Sequence, residues 1–289
     1  PLYKYPISDG VKLSGTEYSG TNKSFFLKLN FVYKIILNTI KNTDTVIDIT
    51  SINFDKVVKI NDDISSESAI YHDNKMVYKI YRNFSFRELI EREIHVDETS
   101  KVTNLRVAAP LAKLYDNGFF CGCTMAYKKG IILSEYEKTH SIEELKDKLI
   151  DVSLELEEIH RNRKKIVLGD INYNNVMIDE ENNDFSFIDF DGVGIKRLEP
   201  MTISAPLFEY LENRGIDYQG KQNYDRLAYL LAFYQTVFHK SIDEVSEDEF
   251  EIKTDELPFL NRSRYDFKVL KKKNKTVKDM PYFHEVFSK

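Results

Sequence analysis

Cysteine is nearly absent: Cys121 and Cys123 are the only two in 289 residues. One glycine separates them, so on a strand both thiols would point the same way, a poor disulfide geometry. No further cysteine exists to complete a zinc set. The pair therefore reads as two core thiols in a reducing, cytoplasmic setting. No apolar run reaches the ~18 residues that a spanning helix needs, and no secretory leader pattern is present. The chain begins at Pro1 rather than methionine and is expected to be trimmed or cut from a longer one. Charge of one sign is lacking too. A formal net charge of -6 with 30% charged residues gives no whole-chain bias toward nucleic acid. The one basic tract, Arg262 to Lys278, reads as a solvated helix end or tail. Glycine is missing where a glycine-rich nucleotide loop would have to follow the strand ending near Asp48: "DITSIN" has none, which excludes that reading. Internal repeats are not found.

What is present suits one large or two small domains with a sizeable core. Apolar residues Phe26, Leu29, Val32, Tyr33, Ile36 and Ile40 recur at helical spacing between Asn22 and Asn42. Strands are expected at Thr45–Ile49, Lys56–Ile60, Ser68–His72 and Met76–Tyr81, with Asp73-Asn74 turning the last pair. A charged helix over Ser85–Ser100 and a strand over Phe119–Tyr127 follow. Ser141 and Glu144 form a capping box before Leu145, Leu149, Val152, Leu156 and Ile159, one face of a long helix ending near His160. His160 reads as structural. Short strands are expected at Ile166–Leu168, Val176–Ile178 and Phe185–Ile188, with a hairpin turn over Glu181–Asp184. A final helix opening at Asp225 is apolar nearly all round and should be buried. Strands with one helix, then mostly helices with small hairpins, make an α+β chain of two lobes.

Asp170, Asn175 and Asp189 stand at the ends of the short strands. A carboxylate beside a core is costly unless something pairs with it. Magnesium prefers carboxylate and amide oxygens and takes few of them from protein. Phosphoryl transfer from ATP needs metal ligands, a phosphate clamp and a group that orients the attacking hydroxyl. The three residues are that kind of set.

Five stretches in order resemble the protein-kinase-like family. "GDINYNNVMID" resembles its catalytic loop, an aspartate followed five residues later by an asparagine. "FIDFDG" resembles its metal-binding segment, "VYKIY" its third-strand lysine motif, "FRELIEREI" the next helix, and "YDRLAYLLAFYQTVF" the buried helix of its large lobe. The resemblance runs from about Phe54 to Phe238. It implies a bilobal fold, with an extension over residues 1–50, a small lobe over 51–127 and a large lobe over 128–289. It implies ATP and Mg²⁺ as ligands and a hydroxyl-bearing acceptor. It makes Asp170 the base or hydroxyl-orienting group, and Asn175 and Asp189 the metal ligands. Lys79 becomes the clamp on the α and β phosphates, held by Glu93, with Glu91 the second choice. Asp225 would accept backbone hydrogen bonds from the catalytic loop. "CTMAYKKG" resembles the end of the small lobe, with Met125 the gatekeeper and the backbone of Ala126 and Lys128 facing adenine.

Departures from the pattern carry information. The nucleotide loop, "DDISSESAIY" at Asp62–Tyr71, has no glycine; Ser65, Ser66 and Ser68 offer hydroxyls and amides instead. Gly169 stands where regulated protein kinases carry the arginine that pairs with a phosphorylated activation loop, which implies no such switch. Asn172 replaces the γ-phosphate lysine of Ser/Thr kinases. Asp191 follows Phe190 in place of glycine, as a further metal ligand or a surface charge. "SAPLFEYL" loosely resembles the end of an activation segment. The first functional reading is an atypical Ser/Thr protein kinase. A small-molecule or glycan kinase is the alternative, since Gly169-Asp170 is similar to the pair seen in aminoglycoside- and choline-type kinases and "GDINYNN" with "IDFDG" resembles bacterial lipopolysaccharide-core sugar kinases. A pseudokinase scaffold is the third.

Overall fold

Turn chemistry sets the first sheet. The computed structural model describes residues 46–60, 67–272, 276–277 and 279–288. The helix expected over Asn22–Asn42 lies outside them, as do Ser65 and Ser66. The chain divides into two compact units, the first holding the described residues up to Thr103 plus Ala109–Tyr127. Its strands are β1 (Val46–Asp48), β2 (Val58–Lys59), β3 (Ser68–His72), β4 (Met76–Tyr81), β5 (Pro110–Asp116) and β6 (Phe119–Ala126), and its helix is α1 (Phe86–Thr99), between β4 and β5. They form one sheet in the order β1-β5-β6-β4-β3-β2, with β1 parallel to β5 and every other pair antiparallel.

Asp73 closes the β3–β4 turn. Its Oδ1 accepts the amides of Lys75 (3.0 Å) and Met76 (2.8 Å), and Asn74 takes the left-handed φ of 67°. Asn117 and Gly118, at φ 49° and 83°, turn β5 into β6 as a type I′ pair does. That hairpin shows β5 to be a strand, where the sequence reading had only loops. The strand expected over Lys56–Ile60 is shorter than expected, because Asn53 caps a 3-10 turn over Phe54–Lys56 and takes the backbone out of the ladder. Ser85 and Glu88 cap α1 reciprocally. The helix packs on β5 and β6.

The second unit comprises Asn104–Ala108 and the described residues from Lys128 onward. Its elements are β7 (Ile131–Ile132), α2 (Leu133–Thr139), α3 (Ile142–His160), β8 (Val176–Asp179), β9 (Asp184–Phe187), α4 (Ala205–Glu212), α5 (Gln222–Phe238), α6 (Glu247–Glu256), α7 (Arg264–Lys271) and α8 (Phe283–Phe287). The capping box on α3 and its apolar face of Leu145, Leu149, Val152, Leu156 and Ile159, all buried, are as expected. α5 is buried on most sides and packs Phe233 edge-to-face on Phe283 and at a tilt on Phe287 of α8, with ring centres 4.9 and 5.2 Å away.

Three expectations need correction here. α5 begins at Gln222, so Asp225 lies inside its first turn, and α6, α7 and α8 still follow it. Ile166–Leu168 is no strand; only Val167 bridges, exchanging hydrogen bonds of 2.9 and 2.8 Å with Gly194. The amides of Leu168 and Gly169 go to the Asp225 carboxylate instead, and a diverted donor cannot extend a ladder. Lys271, in the basic tract read as solvated, is half-buried and donates to the carbonyls of Ile242 (3.3 Å) and Asp243 (2.8 Å). The chain is α+β, sheet-rich first and helical after. No helix among the described residues is long and apolar enough to cross a membrane.

Candidate active site

The second unit presents its polar constellation at one end of the β8–β9 hairpin. The register pairs Val176 with Phe187, and the Ile188 amide donates to the Asn175 carbonyl at 2.9 Å. Asn175, just before β8, and Asp189, just after β9, therefore stand at the same hairpin end. Asp170 is tied to this end directly. The Asn175 amide nitrogen donates to Asp170 Oδ2 (3.1 Å) and to the Asp170 carbonyl (2.9 Å), which leaves Asn175 Oδ1 as the oxygen it can offer a cation. Asn172 donates from Nδ2 to Asp170 Oδ1 at 2.9 Å, and its own Oδ1 caps the turn by accepting the Asn174 amide at 2.8 Å. Asp189 is exposed and takes φ 60°, a left-handed position that aspartate tolerates better than most residues. Phe190 and Asp191 behind it are buried.

A carboxylate with no solvent exposure supports this loop from beneath. Asp225 accepts the amides of Leu168 (2.6 Å) and Gly169 (2.8 Å), and also His160 Nε2 (2.9 Å). On the far side of the imidazole, Nδ1 accepts from the Tyr282 hydroxyl at 3.0 Å. The loop–Asp225 bonds match the expectation from the resemblance. The partnership of Asp225 with His160 and Tyr282 was not visible in sequence, because the three residues lie far apart along the chain.

Gly169 has a steric reason of its own. Its φ is +74°, and a Cβ there would come within 2.4 Å of Pro200 Cβ and 2.6 Å of the Thr202 carbonyl oxygen. The Ser204 amide donates to the Gly169 carbonyl (3.2 Å), and Met201 to that of Gly192 (2.9 Å). The segment after Asp189 is thus fastened back onto the Asp170 loop.

In the first unit Lys79 is 8% exposed on β4, its Nζ 5.8 Å from the centre of the Tyr81 ring. Of the two glutamates considered on α1, Glu93 is buried (1% exposed), whereas Glu91 is largely exposed and pairs with Arg87 at 3.0 Å. Glu93 receives the Tyr115 hydroxyl and the Lys113 ammonium, the latter at 3.4 Å. Lys113 and Tyr115 were missed in sequence along with their strand. The Asn117-Gly118 dipeptide was the signal that would have found both.

Ser68 opens β3 and is buried; Met125 is buried on β6 opposite Val77; Ala126 is half-buried opposite Met76. Lys128, at the start of the second unit, donates to the Leu105 carbonyl at 2.7 Å. Both thiols are free and buried, and burial pushes Cys121 up to about 12, so that thiol is no nucleophile at neutral pH. Among the described residues no three His, Cys, Asp or Glu side chains group into a metal site. Mg²⁺ commonly takes one or two protein carboxylates and completes its shell with phosphate and water. The amide oxygen of Asn175 and the carboxylate of Asp189 fit that chemistry.

No protein-family model matches the chain, and no curated protein matches it. Solved structures do match. One is the Cydia pomonella granulovirus kinase PK-1, 17% identical, with 80% of this chain and 83% of that chain covered and a TM-score of 0.46. The order of the described elements is the one that the sequence resemblance implies. A sheet with its helix between the lysine strand and the next is followed by a helical unit, whose hairpin carries Asp170, Asn175 and Asp189 at one end.

Proposed function

We propose that this chain is an ATP- and Mg²⁺-dependent phosphotransferase that moves the γ-phosphoryl group of ATP to a hydroxyl. The observation that carries the reading is the direct bond from Asn175 to Asp170 at the hairpin end that Asp189 also closes. Asp170 orients the acceptor hydroxyl and takes up its proton. Asn172 and Asn175 fix the two Asp170 oxygens in place, so little reorganisation is left for the chemical step. Asn175 Oδ1 and Asp189 would hold Mg²⁺, with Asp191 behind them; the bound ion neutralises charge on the β and γ phosphates. Lys79 clamps the α and β phosphates, and Glu93 orders it. Ser65, Ser66 and Ser68 stand in for the glycines of the nucleotide loop, and Met125, Ala126 and Lys128 border the adenine.

The acceptor in the first reading is a protein serine or threonine, served by the helical second unit with α4 and the buried α5. A small-molecule or glycan hydroxyl is the second reading. The place of the γ-phosphate lysine is filled by Asn172, whose amide is committed to Asp170, and that observation favours it. Transfer from labelled ATP, measured on the chain itself, on generic protein acceptors and on a panel of sugars and aminoglycosides, separates the two. Inertness toward every acceptor, with nucleotide binding lost as well, would overturn the enzymatic reading and leave a scaffold.

A further inference from the structure

Glu93 is held by residues outside the motif that singled it out. Across the sheet Lys79 pairs with Cys123, and Cys123 pairs with Lys113, so these three side chains project from one face in one row. Two strand spacings put the Cα atoms of Lys79 and Lys113 about 10 Å apart. α1 lies on β5 and β6 and lowers Glu93 and, one turn later, Asp97 onto this row. Lys113 is 4% exposed, and its ammonium lies 3.4 Å from Glu93 Oε1 and 3.4 Å from Asp97 Oδ1. The Tyr115 hydroxyl donates to the same Glu93 oxygen. Asp97 is shared with Lys101, 3.0 Å from its other oxygen. A lysine this deep is costly unless it is paired, and its two carboxylate partners both come from α1.

We propose that Lys113 is a positioning residue for nucleotide binding: with Tyr115 it fixes the Glu93 carboxylate and the seat of α1, and through them the phosphate-clamping Lys79. This rests on the reading of Lys79 and Glu93 as the clamp. Lys113 itself touches no phosphate. Its effect passes through Glu93, and removing it should weaken grip on the α and β phosphates without adding to the loss of Lys79.

The test uses Mg·ADP, which carries those two phosphates and needs no acceptor, titrated by calorimetry into the full chain. Lys113→Met is expected to raise Kd tenfold or more and Tyr115→Phe threefold or more, with the far-ultraviolet circular dichroism unchanged. Lys113→Arg, which keeps the charge, should recover part of the loss. In a Lys79→Met background neither substitution should weaken binding further. Folded Lys113→Met and Tyr115→Phe proteins with wild-type affinity would overturn the inference, as would losses that multiply with that of Lys79→Met. Should Lys113→Met fail to fold, Tyr115→Phe decides alone, since it removes one hydroxyl and leaves the ring packing intact. If the wild type does not bind Mg·ADP, or Lys79→Met binds it normally, the clamp reading itself falls and takes this inference with it.

Discussion

Asp225 offers the sharpest stability experiment. Three donors, the amides of Leu168 and Gly169 and His160 Nε2, converge at 2.6–2.9 Å on the two oxygens of this fully buried side chain. Asp225→Asn keeps the shape but turns one oxygen into an NH₂ group, which faces a donor with a donor. The charge that strengthens the remaining bonds is lost as well. A hydrogen bond to a charged group contributes about 1.5–3 kcal/mol, and an orphaned buried donor costs about 1–3 kcal/mol. Together these come to roughly 2.5–6 kcal/mol, against a domain stability of about 5–15 kcal/mol. The protein should fold but melt early. For a unit of this size each kcal/mol moves the midpoint by about 2–4 °C, so a drop of roughly 5–24 °C is expected. Thermal unfolding followed at 222 nm, with urea titration at 25 °C, measures it. His160→Phe leaves both amide bonds in place and should lose less. An Asp225→Asn protein that melts within about 2 °C of wild type, or a His160→Phe protein that melts lower than it, would refute the reasoning.

Other outcomes follow from single contacts. Asp170→Ala should cut phosphotransfer by roughly 10²–10⁴-fold while leaving the melting midpoint almost unmoved, and full activity in that variant would end the proposed mechanism. Gly169→Ala should cost about 2–5 kcal/mol, because a methyl group at φ +74° meets Pro200 and Thr202 below 3 Å; a neutral or stabilising result would contradict the packing. Arg214 bonds Asp243 through both Nη atoms, at 2.8 and 2.6 Å, and holds that carboxyl below the ordinary aspartate value of 3.8. A depressed carboxyl stabilises the fold above its unfolded value and loses that contribution as pH falls through the folded one. The melting difference between wild type and Asp243→Asn should therefore be full at pH 7 and shrink below pH 3.8; a gap that widens in acid would reverse the assignment.

Elements with a strong local signal were legible in the sequence. The capping box at Ser141/Glu144 marked α3, and the Asp73-Asn74 turn set β3 against β4. The loop from Asp170 to Asn175 stood out through its resemblance, and a hydrogen bond joins these two residues in the structure. What escaped was tertiary. Ile166–Leu168 carries strand-forming residues, yet the amides of Leu168 and of Gly169 just after it answer to a carboxylate more than fifty positions along the chain. α5 starts three residues before Asp225, at Gln222, because Lys221 and Gln222 give little capping chemistry to mark the true boundary. β5 was passed over although "PLAKLYDNG" ends in a hairpin signal, since Lys113 in mid-strand interrupts the apolar pattern. That interruption is the buried lysine that Glu93 and Asp97 receive.

The crowding at Gly169 also bears on how this chain could change. Glycine codons lie one base from arginine codons, so a phosphate-sensing guanidinium ahead of Asp170 is a short mutational step away. Here that step meets Pro200 before the side chain has extended past its first carbon. Latch-type control could be acquired only if the stretch from Pro200 to Ser204 were rebuilt in the same lineage. The tight seat of one proline thus fixes which forms of control its descendants can reach.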